Sequence, residues 1–196
     1  MGFFRNSRTG AMTERQLLTG KYNLARGTLI FVAVITFINL MLTATNSGYY
    51  LLFSASVPLI LCSLGMFYCG MYPEEVYEEL EFEMEFADKS LFAVLLAISI
   101  VIVALMLICW LLSKNQKGVW LLISLILFGI DTICMFGYYG FDLTMLLDVL
   151  FHAYIIYSLV TGVVSYYKLK NLPADEFYEA VAQEMAANEG SINHEE

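Results

Sequence analysis

VWLLISLILFGIDTICMFGYYGFDLTMLLDVLFHAYIIYSLVTGVVSYYK, residues 119–168, holds two long apolar runs joined by Gly137-Tyr138-Tyr139-Gly140-Phe141-Asp142. Each run is long enough to cross a bilayer, which takes roughly 20 apolar residues of helix. Asp131, Asp148 and His152 lie inside the runs rather than at their ends. An acid or base at such depth costs roughly 2.5–3.5 kcal/mol on insertion scales, so these three residues call for partners or for a function.

The rest of the chain extends the same reading. Of 196 residues, 59% are hydrophobic, and the mean hydropathy is +0.68, well beyond a soluble domain. Three further apolar runs precede the pair, giving segments at 27–44, 49–70, 91–112, 119–136 and 143–167 within a membrane domain of 27–170. The fold class is therefore all-α: a polytopic membrane bundle of five hydrophobic helices. The run at 91–112 carries no charge, and Trp110 and Trp120 flank the turn after it as an aromatic belt would.

Residues 1–26 carry half of the basic residues, Arg5, Arg8, Arg15, Lys21 and Arg26, and a Thr13-Glu14-Arg15-Gln16 capping-box pattern that predicts a short interfacial helix. By the positive-inside tendency this end faces the cytoplasm. The formal charge of -9 is local, because all but four of the 19 acids fall in the 71–90 loop and the 171–196 tail. In the loop, Pro73-Glu74-Glu75 suits a helix start and Leu80 to Phe86 alternates like an extended stretch. In the tail, Phe177, Val181 and Met185 recur on one face of a short amphipathic helix, and 190–196 reads as disordered.

Segment 49–70 presents a conflict. Pro58 removes a helical hydrogen bond and displaces the carbonyl of Ser54, so a kink is expected there, with Ser54, Ser56 and Pro58 as candidate lining of a broken helix. Length and unbroken apolarity favour a full crossing, and with it five crossings in all. Charge favours re-entry, because a second segment that leaves on the side it entered puts nine of the ten basic residues inside, against six for five crossings.

The polar residues within the runs define the candidate site. Asn39 suits an interhelical hydrogen bond. Asp148 and His152, four apart, share a helix face, and antiparallel pairing about Tyr139-Gly140 sets Asp131 at their depth, with Cys134 beside it. Three roles compete: a structural lock, a proton or ion relay through Asp131, Asp148 and His152, and a metal site that adds Cys134. With one histidine and no H-E-x-x-H signature, metal chemistry is the weakest of these. No G-x-S-x-G, phosphate loop or C-x-x-C motif occurs, so the reading leans away from an enzyme and calls for no cofactor. No basic cluster suggests nucleic acid. The expected partners are the lipid bilayer and either a membrane-protein partner or further copies of the chain, in the cell membrane, with an accessory or assembly role favoured over transport.

With ARGTLIF (25–31), LFSASVP (52–58), LGMFYCGMYPEE (64–75), LFGIDT (127–132), LLDVLFHAY (146–154) and KLKNLP (168–173), the chain resembles small multispanning membrane proteins of Gram-positive anaerobic bacteria. That resemblance spans roughly 20–173 and implies no activity, cofactor or partner.

Overall fold

A computed structural model describes residues 14–79, 85–140 and 145–172, and the described residues are helical with irregular connections. The helices are α1 (Glu14–Ala44), α2 (Val57–Tyr68), α3 (Glu74–Glu79), α4 (Lys89–Leu112), α5 (Val119–Tyr139) and α6 (Leu146–Asn171). Four of them, α1, α4, α5 and α6, are long and apolar enough to cross a membrane, and α2 is a shorter apolar helix. The protein is a membrane-embedded all-α bundle with the five apolar helices expected. The Thr13 cap, the alternation within 80–84, Asp142, and the tail helix and terminus lie outside the described residues.

Helix α1 runs unbroken for 31 residues, so the interfacial helix and the first span are one element. It lies antiparallel to α6: Thr28 meets Ser158 at 2.9 Å, and Arg15 donates to the Leu172 carbonyl at 3.5 Å. Between these points Gly162 packs so closely on Ala25 that a Cβ there would overlap Ala25 Cβ and the end of Leu121. Inward from α1, Leu29, Val32, Leu121, Phe128, Ile155 and Leu159 form the main core. At its lower end, the Tyr22 hydroxyl donates to the Ser113 carbonyl at 2.6 Å and Arg26 to the Ser113 hydroxyl at 2.9 Å. Both stand at the C-terminus of α4, where backbone carbonyls lack helical partners and a cation complements the helix dipole.

The second apolar segment takes a different course. Residues 49–56 are not helical, and Pro58 stands in the first turn of α2. The break expected at Pro58 is thus complete: proline begins a helix here, where its missing N–H removes nothing. At 12 residues, α2 reaches about 18 Å at 1.5 Å per residue, short of the roughly 30 Å hydrocarbon core.

Where α2 begins and ends decides the topology. Asn39 pairs with Leu51 and Thr36 with Ala55, so the chain runs back down beside the last turns of α1. Pro58 then meets Ser99 at 2.8 Å, and the Tyr68 carbonyl accepts from Ala87 at 2.8 Å, just before α4 begins. Helix α2 therefore starts inside the bundle and returns to the end at which α1 finished. The second segment thus supplies no fifth helix long enough to cross, and it folds as a re-entrant hairpin, irregular on the way in and helical on the way out. Of the described basic residues, Arg15, Lys21, Arg26, Lys114, Lys117, Lys168 and Lys170 cluster towards one end and Lys89 stands at the other, with Glu74, Glu75, Glu78, Glu79, Glu85 and Asp88. Asp88 caps α4, and hydrogen bonds from Ser90 hold its carboxyl below the usual carboxylate range.

In sealed vesicles, Ser47→Cys and Glu85→Cys should label from one side and Lys117→Cys from the other, whereas labelling of 47 and 85 from opposite sides would restore the fifth crossing. Gly162→Ala should lower stability in detergent by about 1–3 kcal/mol through overpacking, while Gly129→Ala, whose Cβ meets open space, should be neutral or stabilising in the same thermal unfolding assay.

Candidate functional site

Non-helical backbone at membrane depth survives only if its N–H and C=O groups find partners in the protein, because the hydrocarbon supplies none. The inbound strand obtains them from side chains of α1. Asn39 grips Leu51 at both backbone groups, donating to its carbonyl at 2.6 Å and accepting from its N–H at 2.9 Å. One turn away, the Thr36 hydroxyl accepts the Ala55 N–H and donates to the Val32 carbonyl, both at 2.8 Å. Asn39, read from the sequence as an interhelical contact, instead binds the strand.

At the bottom of the hairpin the donors pass to Asp131 on α5. Its Oδ2 accepts the Ser56 N–H at 3.0 Å, and its Oδ1 accepts the Val57 N–H at 2.7 Å. Pro58 has no N–H, and the N–H groups of Leu59 and Ile60 both reach the Ser56 carbonyl, at 3.1 and 2.9 Å. Every donor at the start of α2 is thereby satisfied. The work of an N-cap is done by a carboxylate from another helix, while the Ser56 side chain makes no capping bond of its own. An acidic group in this position also complements the helix dipole.

His152 completes the cluster. Its Nδ1 lies 2.8 Å from the Asp148 carbonyl, which can only accept, so Nδ1 carries hydrogen. Its Nε2 lies 3.2 Å from Asp131 Oδ2 and 3.4 Å from Ser56 Oγ. With the N–H on Nδ1, Nε2 is the ring nitrogen that faces both the carboxyl group and the serine hydroxyl. The ring stacks on Phe128, centroids 5.1 Å apart. Asp131 and His152 are 6% and 3% exposed, which sets them among the core rather than against lipid.

The residues singled out from sequence thus divide. Asp131, His152 and Ser56 come together. Asp148 contributes its backbone to His152, while its carboxylate turns to the Tyr50 hydroxyl at 3.4 Å, which also meets Ser54 at 3.0 Å. Cys134 is exposed on α5 and takes no part in the cluster. A metal site from Asp131, Cys134, Asp148 and His152 is therefore not assembled, and the described residues contain no grouping of His, Cys, Asp and Glu suited to a metal. Ser56 and Asp131 face the same ring nitrogen of His152, whereas in a Ser-His-Asp triad the serine and the carboxylate stand at opposite nitrogens. Thr36, Tyr50 and Ser99 also hold the hairpin and are not singled out by the sequence reading. A hint for Thr36 is its position one turn from Asn39 on the same face of α1.

Compared with protein-family models, curated proteins and solved structures, the chain matches none.

The geometry predicts a graded response at Asp131, read by thermal unfolding in detergent. Asp131→Asn keeps one acceptor for two backbone donors and should lose about 1–3 kcal/mol. Asp131→Leu strands both donors together with His152 and should lose about 3–5 kcal/mol. Adding His152→Ala to Asp131→Leu should recover only part of the loss, and full recovery would mean that capping of α2 contributes nothing.

Proposed function

We propose that the protein is an accessory or assembly subunit of the cell membrane, with its basic end in the cytoplasm, and that the Asp131–His152 cluster is a structural lock rather than a reaction centre. The observation that carries this reading is the commitment of Asp131: both carboxyl oxygens are taken by backbone N–H groups of the re-entrant hairpin. A group that must stay in place to hold the fold is ill suited to exchange partners in a turnover cycle. On the side of the basic end lies the apolar core of Leu29, Phe128, Ile155 and Leu159, all at most 2% exposed, against which the His152 ring stacks through Phe128.

In this role the contacts with a partner would come from the acidic face around α3, the tail beyond 173 and the lipid-facing helices, with bilayer lipid covering the rest. The partner is a second membrane protein or further copies of the chain. Purification in mild detergent should yield a stoichiometric partner that is lost on deleting 174–196. A monodisperse homo-oligomer with no partner would turn the reading toward self-assembly.

A second reading, a small proton- or ion-coupled transporter, draws on one specific feature. Asp131 and His152, two groups able to exchange a proton, stand 3.2 Å apart, and Ser54, Tyr50 and Asp148 extend polar groups from their neighbourhood toward the acidic end. It requires pH-dependent flux in proteoliposomes that disappears in Asp131→Asn. The lock predicts no flux in either protein and a stability that follows hydrogen-bonding capacity at residue 131.

A further inference from the structure

Above the Thr28–Ser158 contact α1 and α6 part, and Phe53 of the re-entrant strand enters between them. Its ring centroid lies 3.7 Å from that of Phe151 and 5.7 Å from that of Phe31. To place the ring there, Phe53 adopts φ +73°, a left-handed conformation that bulky residues avoid. Strain of this kind collects at ligand sites and clamps. Beside Phe53 is a groove of about 600 Å³, lined by Gly27, Phe31 and Val32 of α1 and by Leu150, Phe151 and Tyr154 of α6, among others. Its volume falls in the range of small-molecule sites, roughly 300–1,000 Å³.

We propose that this groove holds one hydrocarbon chain of a membrane lipid as a bound component, distinct from the lipid that merely surrounds the bundle. Three observations choose that occupant. The groove lies within the membrane-crossing part of α1 and α6, where hydrocarbon is the available solvent. Its rim residues Phe31, Leu150 and Tyr154 are exposed, so it is continuous with the lipid-facing surface. Its lining offers little for a polar ligand, since the Thr28 hydroxyl is already engaged by Leu24 and Ser158. Gly27 keeps the groove open from below: a Cβ there would meet nothing within 4 Å, so the glycine makes room that no side chain of this chain fills. A bound chain would pack against the aromatic wall formed by Phe31, Phe53 and Phe151, and so support the hairpin from the side opposite Asp131.

The test uses the full chain in nanodiscs containing a phospholipid with a photoactivatable diazirine on one acyl chain. Crosslinks mapped by peptide mass spectrometry should concentrate at 27–31 and 150–154, several-fold above the lipid-facing surfaces of α4 and α5, and native mass spectrometry should retain one lipid per chain. Gly27→Leu, which fills the groove from a position with room for a side chain, should abolish both signals while the protein still folds and unfolds cooperatively. If Gly27→Leu does not fold, Leu150→Trp closes the groove from the other wall and should give the same loss. Crosslinks spread evenly over all lipid-facing helices, or unchanged retention in a folded groove-filling variant, would overturn the proposal.

Discussion

The structure depends on the hydrogen bonds between one carboxylate and two backbone N–H groups, those of Ser56 and Val57 with Asp131. A helix that starts within the bilayer exposes donors that water would ordinarily satisfy, and each left bare in hydrocarbon costs several kcal/mol. The chain meets this with a division of labour. One residue is a proline with no donor, one carbonyl serves two donors, and a distant aspartate takes the remaining two. An aspartate brought to that depth needs a counterpart in turn, which His152 supplies, and His152 is fixed by the carbonyl one turn before it. The polar cluster that looked from sequence like three unexplained residues is thus a chain of obligations beginning at the tip of the hairpin.

The two ends of the hairpin are held by different chemistry. Asn39 and Thr36 offer side-chain groups to the backbone of the inbound segment, in place of the partners that a regular element would give it. Ser99 on α4 reaches the Pro58 carbonyl, the group on the outbound side that faces the neighbouring helix. Between them the hairpin is tied to α1, α4, α5 and α6, so it contributes to holding the four crossing helices together as well as being held by them.

Much of this was legible in the sequence, and the rest was hidden for a physical reason. Apolar run length gave the five helices, and counting back from the Tyr139-Gly140 turn set Asp131 level with His152, which it meets at 3.2 Å. The charge split pointed to re-entry, because Lys114, Lys117, Lys168 and Lys170 gather with the N-terminal basic residues only then, but the length of the second apolar run outweighed it in favour of five crossings. Residues 49–56 are apolar enough to read as helix, however, and their true conformation rests on partners 12, 19 and 75 residues away. Local pattern cannot reveal that kind of support. For the same reason the sequence could place Asp148 and Cys134 near the cluster by spacing but not say that one turns to Tyr50 and the other to the outside.

The separation of Ser56 and Asp131 has a consequence for how the protein is made. Ribosomes add roughly 5–20 residues per second, so the aspartate that caps α2, 75 residues later in the chain, emerges about 4–15 seconds after the donors it will cap. Throughout that interval the half-inserted hairpin has no internal partner for its first turn. The donors must be sheltered by interfacial water, by lipid headgroups or by the insertion machinery. The hydrogen bonds that hold the start of α2 are thus completed only once α5 has been made, however early the second apolar segment is synthesised.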